Sequence, residues 1–384
     1  MLSTQSMLQG IGVGSSTATP AAAMLQFFAR DAAGLLVGII FTAVEGSSFD
    51  AYAKQWRLAA DVANDVGLSL ELVAPAFPSL FLVLACTASI CRTVTGVAGG
   101  ATRMALTQHF AKQMNGADIA AKEGSQETAV TLVGMVVGLG LTRLAAVHVA
   151  SAWGAFVLLT ILHVYANIKA MRSLCISRLN AERLAIIVEA CCRFGGSRVI
   201  LTTQEVAMRE RLLPPLYIPA RVREWGMPST SASSSTVAVP RTSHRQHYRI
   251  LLSPSLESMD RESRQLIARH FESDVATWQW YEREGRFSIV VDDAKKAVYV
   301  LMGAETRDGD GRDAVEAYCI AREHLVLGGG GNYSDARKRD GSWVALLEQG
   351  GWNCERPALM QRGGGWMEWR RTHVGIEGVK KKHA

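Results

Sequence analysis

The chain has 384 residues, enough for one large domain or two ordinary ones. Apolar residues make up 48% and charged residues 20%, with a slightly positive mean hydropathy. That is richer in apolar residues than an ordinary soluble domain, though not as apolar as a pure multi-span channel. The net charge of +6 is unevenly placed. Residues 1–29 carry no charge, and Arg143 is the one Asp, Glu, Lys or Arg between Thr128 and Ile168. A basic excess has two readings: contact with anionic lipid or nucleic acid, or a soluble surface that happens to be basic. No aromatic-interleaved basic patch supports nucleic acid, and none is expected as a partner.

Seven cysteines occur, none in a Cys-x-x-Cys pair, and no His pair stands at zinc spacing. Several lie in apolar runs, which predicts reduced, structural thiols and no metal. The uncharged N-terminus lacks the basic region of a signal peptide.

Residues 1–19 read as a flexible lead. Gly10 to Ser16 superficially matches a dinucleotide loop, but no strand precedes it. Pro20 to Val44 reads as a helix with proline in its first turn. Its uncharged part, Ala32–Val44, is 13 residues long, too short to span a bilayer, and predicts a buried or interfacial helix. Ser47 and Asp50 resemble a capping box opening the next helix. There Phe49, Tyr52, Trp56, Ala60, Ala63, Gly67 and Leu70 share one face, and Lys54, Arg57, Asp61 and Asp65 the other. The charged stripe is either solvated or turned toward a polar interior or a partner.

Val73 to Cys91 is 19 residues without a charge, broken by Pro75 and Pro78, with a helix expected from about Ser79. The polar stretch Gly96–Thr128 follows. Gly96, Gly99 and Gly100 read as close-packing positions, with anion binding near Arg103 as the alternative. Gly124 would end a segment, and Ser125 would cap the helix that follows. A Ser125/His109/Asp118 arrangement lacks any nucleophile elbow. Lys122 as a Schiff-base lysine lacks any sign of desolvation.

Thr128–Ile168 carries the strongest membrane signal. Thr128–Thr142 is 15 uncharged residues, and Leu144–Ile168 is 25. Gly134 and Gly138 have the small-xxx-small spacing of packed membrane helices. Trp153, His163, Tyr165 and Asn167 temper the signal. Lys169, Arg172, Arg178 and Arg183 then place the later chain on the cytosolic or equivalent side. Ala181–Arg193 and Thr203–Arg211 read as short surface helices, and Ser229–Ser243 as linker. Tyr248–Leu252 reads as a strand and Met259–Phe271 as a polar helix. Arg286–Val291 and Ala297–Met302 make a hairpin, and Arg312–Val326 and Trp343–Leu347 read as helices.

The fold is therefore expected to be mainly α: a helical, membrane-embedded N-terminal region, then a small α+β domain. The boundaries are a lead over 1–19, a helical domain over 20–228 with an apolar hairpin at about 128–168, a Ser-rich linker over 229–247, an α+β domain over 248–350, and a Gly/Trp-rich basic tail over 351–384.

Five runs resemble one family. They are Gly46–Leu72 (GSSFDAYAKQWRLAADVANDVGLSLEL), Phe77–Cys86 (FPSLFLVLAC), Gly96–Phe110 (GVAGGATRMALTQHF), Asn115–Thr128 (NGADIAAKEGSQET) and Leu159–Leu174 (LTILHVYANIKAMRSL). Together they are similar to the root UVB sensitive (RUS) family. The later WVALLEQGGWNCERPAL and GWMEW segments are similar to that family's C-terminal end. The Ser-rich insert and the glycine- and tryptophan-rich tail depart from the pattern. The resemblance implies a membrane-associated protein of plastids or other endomembranes. It also implies links to vitamin B6 homeostasis, seedling development and auxin transport, and complexes with a second RUS-like protein or with itself. It supplies no catalytic residue and no cofactor.

Three functions are then open. One is a non-enzymatic membrane protein acting through protein partners. Another is a carrier whose Arg57, Asp61, Asp65, Arg103 and His109 line a polar path for a small metabolite, neutral or anionic. The third is an enzyme of unfamiliar type using His109, Lys122 and Glu123. Arg57, Asp61, Asp65, Arg103, His109, Lys122 and Glu123 form the candidate functional set.

Overall fold

A computed structural model describes residues 20–113, 115–147, 149–193, 200–214, 248–252, 259–272, 282–283, 287–302, 311–327, 342–355 and 357–359. The lead over 1–19, the linker over 229–247 and the tail from 360 lie outside them. The chain divides into two compact units. One takes in the chain up to Leu174, and the other Cys175–Glu210 with the later strands and helices.

The first unit is all helix: α1 (Pro20–Glu45), α2 (Ala53–Val73), α3 (Phe81–Phe110), α4 (Gly116–Val147) and α5 (Val149–Ser173). α1, α2 and α4 all pack on α3. Pro75 and Pro78 each open a short 3-10 turn, Ala74–Ala76 and Pro78–Leu80. Proline offers no N–H to an α-helical ladder, so the chain reverses there and α3 starts at Phe81. α1 approaches α3 closely at Gly34, where an added Cβ would lie 2.6 Å from Ser89 Oγ. An aromatic corner closes the turn between α1 and α2. Phe41, Phe49 and Trp56 meet edge-on or tilted at 5.3–5.6 Å, and Trp56 Nε1 donates to Ser48 Oγ at 2.8 Å.

Several sequence expectations change here. α1 runs on through Arg30 and Asp31, which pair with each other at 2.8 Å. Its apolar segment therefore reaches 25 residues, Met24–Ser48, and is long enough to span a bilayer. Pro78–Phe110 and Trp153–Ser173 also meet that length and composition. No capping box opens α2. Ser48 sits in a 3-10 turn, and Tyr52 makes no side-chain cap bond. α4 is continuous through Gly124 and Ser125, so neither ends nor caps a helix. The intervening loop lies at Ala111–Asn115 instead. Gly96, Gly99, Gly100 and Gly134 have no neighbour within 4 Å of an added Cβ among the described residues. The close approaches fall at Gly34, Gly38 and Gly67.

The second unit is a mixed sheet between helices. β1 (Arg249–Leu252), β2 (Glu282–Arg283), β3 (Phe287–Asp292) and β4 (Ala297–Met302) stand in the order β1-β4-β3-β2. β3 and β4 form the expected hairpin, with Phe287 opposite Met302 and Asp292 opposite Ala297. β1 pairs with β4 in parallel. Alternate residues of a strand point to opposite faces. Val290, Ala297, Tyr299 and Leu301 pack on Met259 and on Ile267 of α8 (Arg261–Glu272). Phe287, Ile289, Val298, Val300 and Met302 join the larger core, which α9 (Arg312–Val326) fills from the other side.

α6 (Ala181–Arg193) is a core element rather than a surface helix, while α7 (Thr203–Arg209) lies at the surface with one buried side. Leu184, Ile187 and Val188 of α6 are fully buried in the same core as α9, and Val206 of α7 joins them. Residues 177–179 are tied to the chain after α10 (Trp343–Gln349): Asn353 N donates to Ser177 O, and Ala358 N to Leu179 O. Thr202 and Glu205 form a full capping box at the start of α7. All seven cysteines carry free thiols.

Two predictions come from this unit. Arg183 and Glu210 form a nearly completely buried ion pair at 2.7 Å. Glu210→Ala strands the guanidinium and is expected to lower stability by about 3 kcal/mol, whereas the double change Arg183→Met, Glu210→Leu costs much less. Chemical denaturation followed by tryptophan fluorescence checks this, and equal losses in the two variants would refute it. The second concerns acid. Lys295, and then Ser263, donate to Asp260 and hold its carboxyl down to about 2, from an ordinary 3.8. A lowered carboxyl contributes stability above its ordinary value, and that contribution fades as pH falls from about 4 to 2. Asp260→Asn is expected to flatten the loss of second-unit structure over that window.

Candidate functional site

α2 places the candidate residues. Its 21 residues contain no proline, and successive turns bring Lys54, Arg57, Asp61 and Asp65 to one side. That side is not solvated. Lys54 and Gln55 are fully buried, Asp65 and Glu71 nearly so, and Arg57 and Asp61 are half-buried. The other face, with Trp56 and Ala60, packs on Ala98 of α3. What remains open on α2 includes Val62 and Val66, at 40% and 46% exposure. The helix thus turns charge inward and leaves aliphatic side chains outside.

Arg57, Asp61, Asp65 and Glu71 each meet a polar counterpart from another helix or the next turn. Asp65 accepts His163 Nδ1 of α5, with Oδ2 at 2.9 Å and Oδ1 at 3.1 Å. Asp61 lies within the fields of Arg57, His163 and Asp65. Arg57 Nη1 donates to Gly99 O of α3 at 3.4 Å. Glu71 meets Arg92 of α3 at 3.5 Å. Thr95 of α3 donates to Ala60 O at 3.0 Å.

The rest of the candidate set stands elsewhere. Arg103, one turn beyond Gly99, points to α4 and pairs with Glu127 at 2.7 Å and Glu123 at 3.2 Å. All three are between a third and two thirds exposed, so solvent screening keeps the pairs weak. Lys122 pairs with Asp118 one turn earlier on α4, on an exposed face. His109 lies in the last turn of α3, edge-on to Phe110. The seven residues therefore divide into an interior group, Arg57, Asp61 and Asp65, and a group about the α3–α4 junction, Arg103, His109, Lys122 and Glu123. Among the described residues no cluster of three or more His, Cys, Asp or Glu is set to hold a metal.

Sequence reasoning missed His163, Glu71 and Arg92 as members of the interior group. The signal for His163 was available. A titratable residue inside a 25-residue run without formal charge needs a polar partner, and the stripe on α2 offers one.

Around this interior the unit's surface is apolar. Met24, Leu25, Phe28, Leu35, Leu36, Ile39 and Ile40 stand out from α1 at 62–72% exposure. α4 exposes Val130, Leu132, Val133, Met135, Val136, Val137 and Leu139, and α5 exposes Val157 to Leu159, Ile161 and Leu162. Such continuous apolar cover far exceeds what a water-facing monomer carries.

A family model described as a vitamin B6 photo-protection and homoeostasis domain matches residues 1–195, which take in all five helices of the first unit and α6. The chain is 48% identical over 214 residues to protein root UVB sensitive 3 of Arabidopsis thaliana, covering 56% of this chain and 48% of that one. It is 38% identical over 215 residues to RUS family member 1 of Dictyostelium discoideum, covering 55% and 40%. It is 35% identical over 198 residues to protein root UVB sensitive 2, chloroplastic, of Arabidopsis thaliana, covering 51% and 44%. The matches thus span less than half the length of these relatives. No solved structure matches the chain.

The two groups differ in what they bear. Asp65→Ala leaves His163 without its carboxylate and is expected to loosen α5 from α2 by about 1–3 kcal/mol. Hydrogen exchange in α5 should rise. Lys122→Ala on the exposed face should change stability by less than about 0.5 kcal/mol. Equal effects from the two would contradict the division.

Proposed function

Because the chain belongs to the root UVB sensitive family, we propose that it is a membrane-embedded, non-enzymatic protein that works through protein partners. One observation carries this reading. Helix α2 turns its charges inside the unit while the helices around it show aliphatic side chains outside, the arrangement that suits lipid as solvent. The three helices long and apolar enough to cross a bilayer agree with it. The α+β unit then serves as the water-soluble part that meets partners, of which a second RUS-like protein or a second copy is the expected one. Vitamin B6 homeostasis is the physiological setting, as the description of the matching family model suggests. The compartment is a membrane of a plastid or another organelle.

An enzyme built on His109, Lys122 and Glu123 has less support. Lys122 is engaged by Asp118 on an exposed face, and Glu123 is engaged by Arg103. A Schiff-base lysine requires desolvation, and Lys122 stands at 69% side-chain exposure. A second reading is favoured by the inward stripe: Arg57, Asp61 and Asp65 serve a polar path for a small metabolite. Proteoliposomes separate the two readings, since Asp61→Asn would abolish solute flux in a carrier and leave partner binding intact.

The test of membrane embedding is carbonate extraction of the full chain with protease protection. Retention in the pellet is expected, with the α+β unit open to protease from one side. Release into the soluble fraction would end this reading and the carrier reading with it.

A further inference from the structure

The directions of the helices carry a topology that hydropathy alone misses. α1 and α3 run parallel. Phe27 packs beside Phe81 and Ala85 at the start of α3, Gly34 abuts Ser89 and Thr93, and Phe41 lies with Ala98. α2 runs antiparallel to α3, since Arg57 reaches Gly99 while Glu71 reaches Arg92. α4 returns from the end of α3, with Glu123 and Glu127 beside Arg103.

α5 must turn back along α4. Arg103 stands level with the start of α2, and Asp65 lies about 18 Å along α2 from that level at 1.5 Å per residue. Were α5 a straight continuation of α4, His163 would lie more than about 50 Å from Glu127. His163 bonds Asp65, so α4 and α5 cannot be collinear, and α5 runs back in the direction of α3.

The three candidate spans, α1, α3 and α5, therefore all point the same way. Two consecutive spans with the same direction require a return crossing between them. α2 and α4 are the helices that lie between. α2 is about 31 Å long and α4 about 48 Å, each sufficient for a hydrocarbon core of about 30 Å. α2 escapes a hydropathy criterion because Lys54, Arg57, Asp61, Asp65 and Glu71 depress its average. All of them are at least half-buried in the unit, and the strip left open carries Val62 and Val66.

Resting on the membrane reading above, we infer that the first unit crosses the bilayer five times, with charged α2 as a full span. The N-terminal end of α1 and the exit of α5 at Ser173 then lie on opposite faces. Charge assigns the faces. The end that holds the α3–α4 loop and the exit of α5 carries Lys112, Lys122, Lys169 and Arg172, whereas the opposite end carries Arg143 near the end of α4 and no formal charge over residues 73–80. The excess of Lys and Arg marks the cytosolic or equivalent face. α3 and α4 also overreach the core there, so the polar run from Arg103 to Glu127 stands in water beyond the bilayer.

The test uses the full chain in sealed vesicles of known sidedness, with a membrane-impermeant maleimide. Ala21→Cys, Ser79→Cys, Gln113→Cys and Ser173→Cys introduce thiols at exposed sites, scored as gain over the wild-type labelling. Ala21→Cys and Ser79→Cys are expected to label from one face, and Gln113→Cys and Ser173→Cys from the cytosolic face. Labelling of all four from one face overturns the five-pass topology. Continued resistance to carbonate in that case would leave the membrane reading standing, whereas release by carbonate would end that reading itself. A second measurement isolates α2. Val62→Lys is expected to reduce the carbonate-resistant fraction several-fold, and Val62→Leu to leave it unchanged. Unchanged retention of Val62→Lys overturns the assignment of α2 as a span.

Discussion

Charge held inside an apolar-surfaced helical unit is the constraint on which the rest of the first unit depends. An ionised side chain away from water is tolerated only with a partner of opposite sign or a dense set of polar contacts. α2 carries Lys54, Arg57, Asp61, Asp65 and Glu71 into the unit, so its neighbours must answer them. α3 does so with Arg92 and Gly99 O, and α5 with His163. Helix register follows from these meetings as much as from the apolar contacts. Sliding α5 by one turn would separate His163 from Asp65.

The same constraint explains the outside of the unit. Once α2 is buried on its charged side and on its aromatic side, little of it remains to face solvent, and that remainder is valine. The surrounding helices likewise expose leucine, isoleucine, valine and phenylalanine. In water this cover would drive aggregation, and in lipid it is the ordinary state of a spanning helix. The second unit obeys the opposite rule. Its sheet hides apolar side chains on both faces, under α8 on one side and α9 with α6 on the other, while α8 turns arginines outward. The two units thus follow opposite rules for where their apolar side chains lie.

The candidate residues take different meanings from their places. Arg57, Asp61 and Asp65 belong to the interior and are bound to the packing of three helices. Arg103, His109, Lys122 and Glu123 lie about the α3–α4 junction. Arg103 links the two helices there, while Lys122 and Asp118 form an intrahelical pair. The two polar stretches of sequence, 57–65 and 103–123, thus become two separate groups in the structure.

How much was legible follows from the range of each signal. Local patterns spoke for themselves: the β3–β4 hairpin, α9 over Arg312–Val326, the prolines before α3 and the apolar length of α5 are set by residues a few positions apart. The mainly helical class and the family resemblance came from the same runs. Capping at Ser125 and close packing at Gly96–Gly100 were also local arguments, and they failed because a helix through Gly124 and an open face at Gly96 depend on what lies alongside. The direction of the α2 stripe was undecidable from its periodicity, since a charged face reads alike in water and against a partner helix. α6 read as a surface helix because its partner, α9, lies more than a hundred residues away. By itself, then, the sequence determined which segments are helices and strands, because those choices rest on neighbouring residues. The tertiary structure alone decided which face of each helix is inside, because that requires contacts between residues as distant as Asp65 and His163.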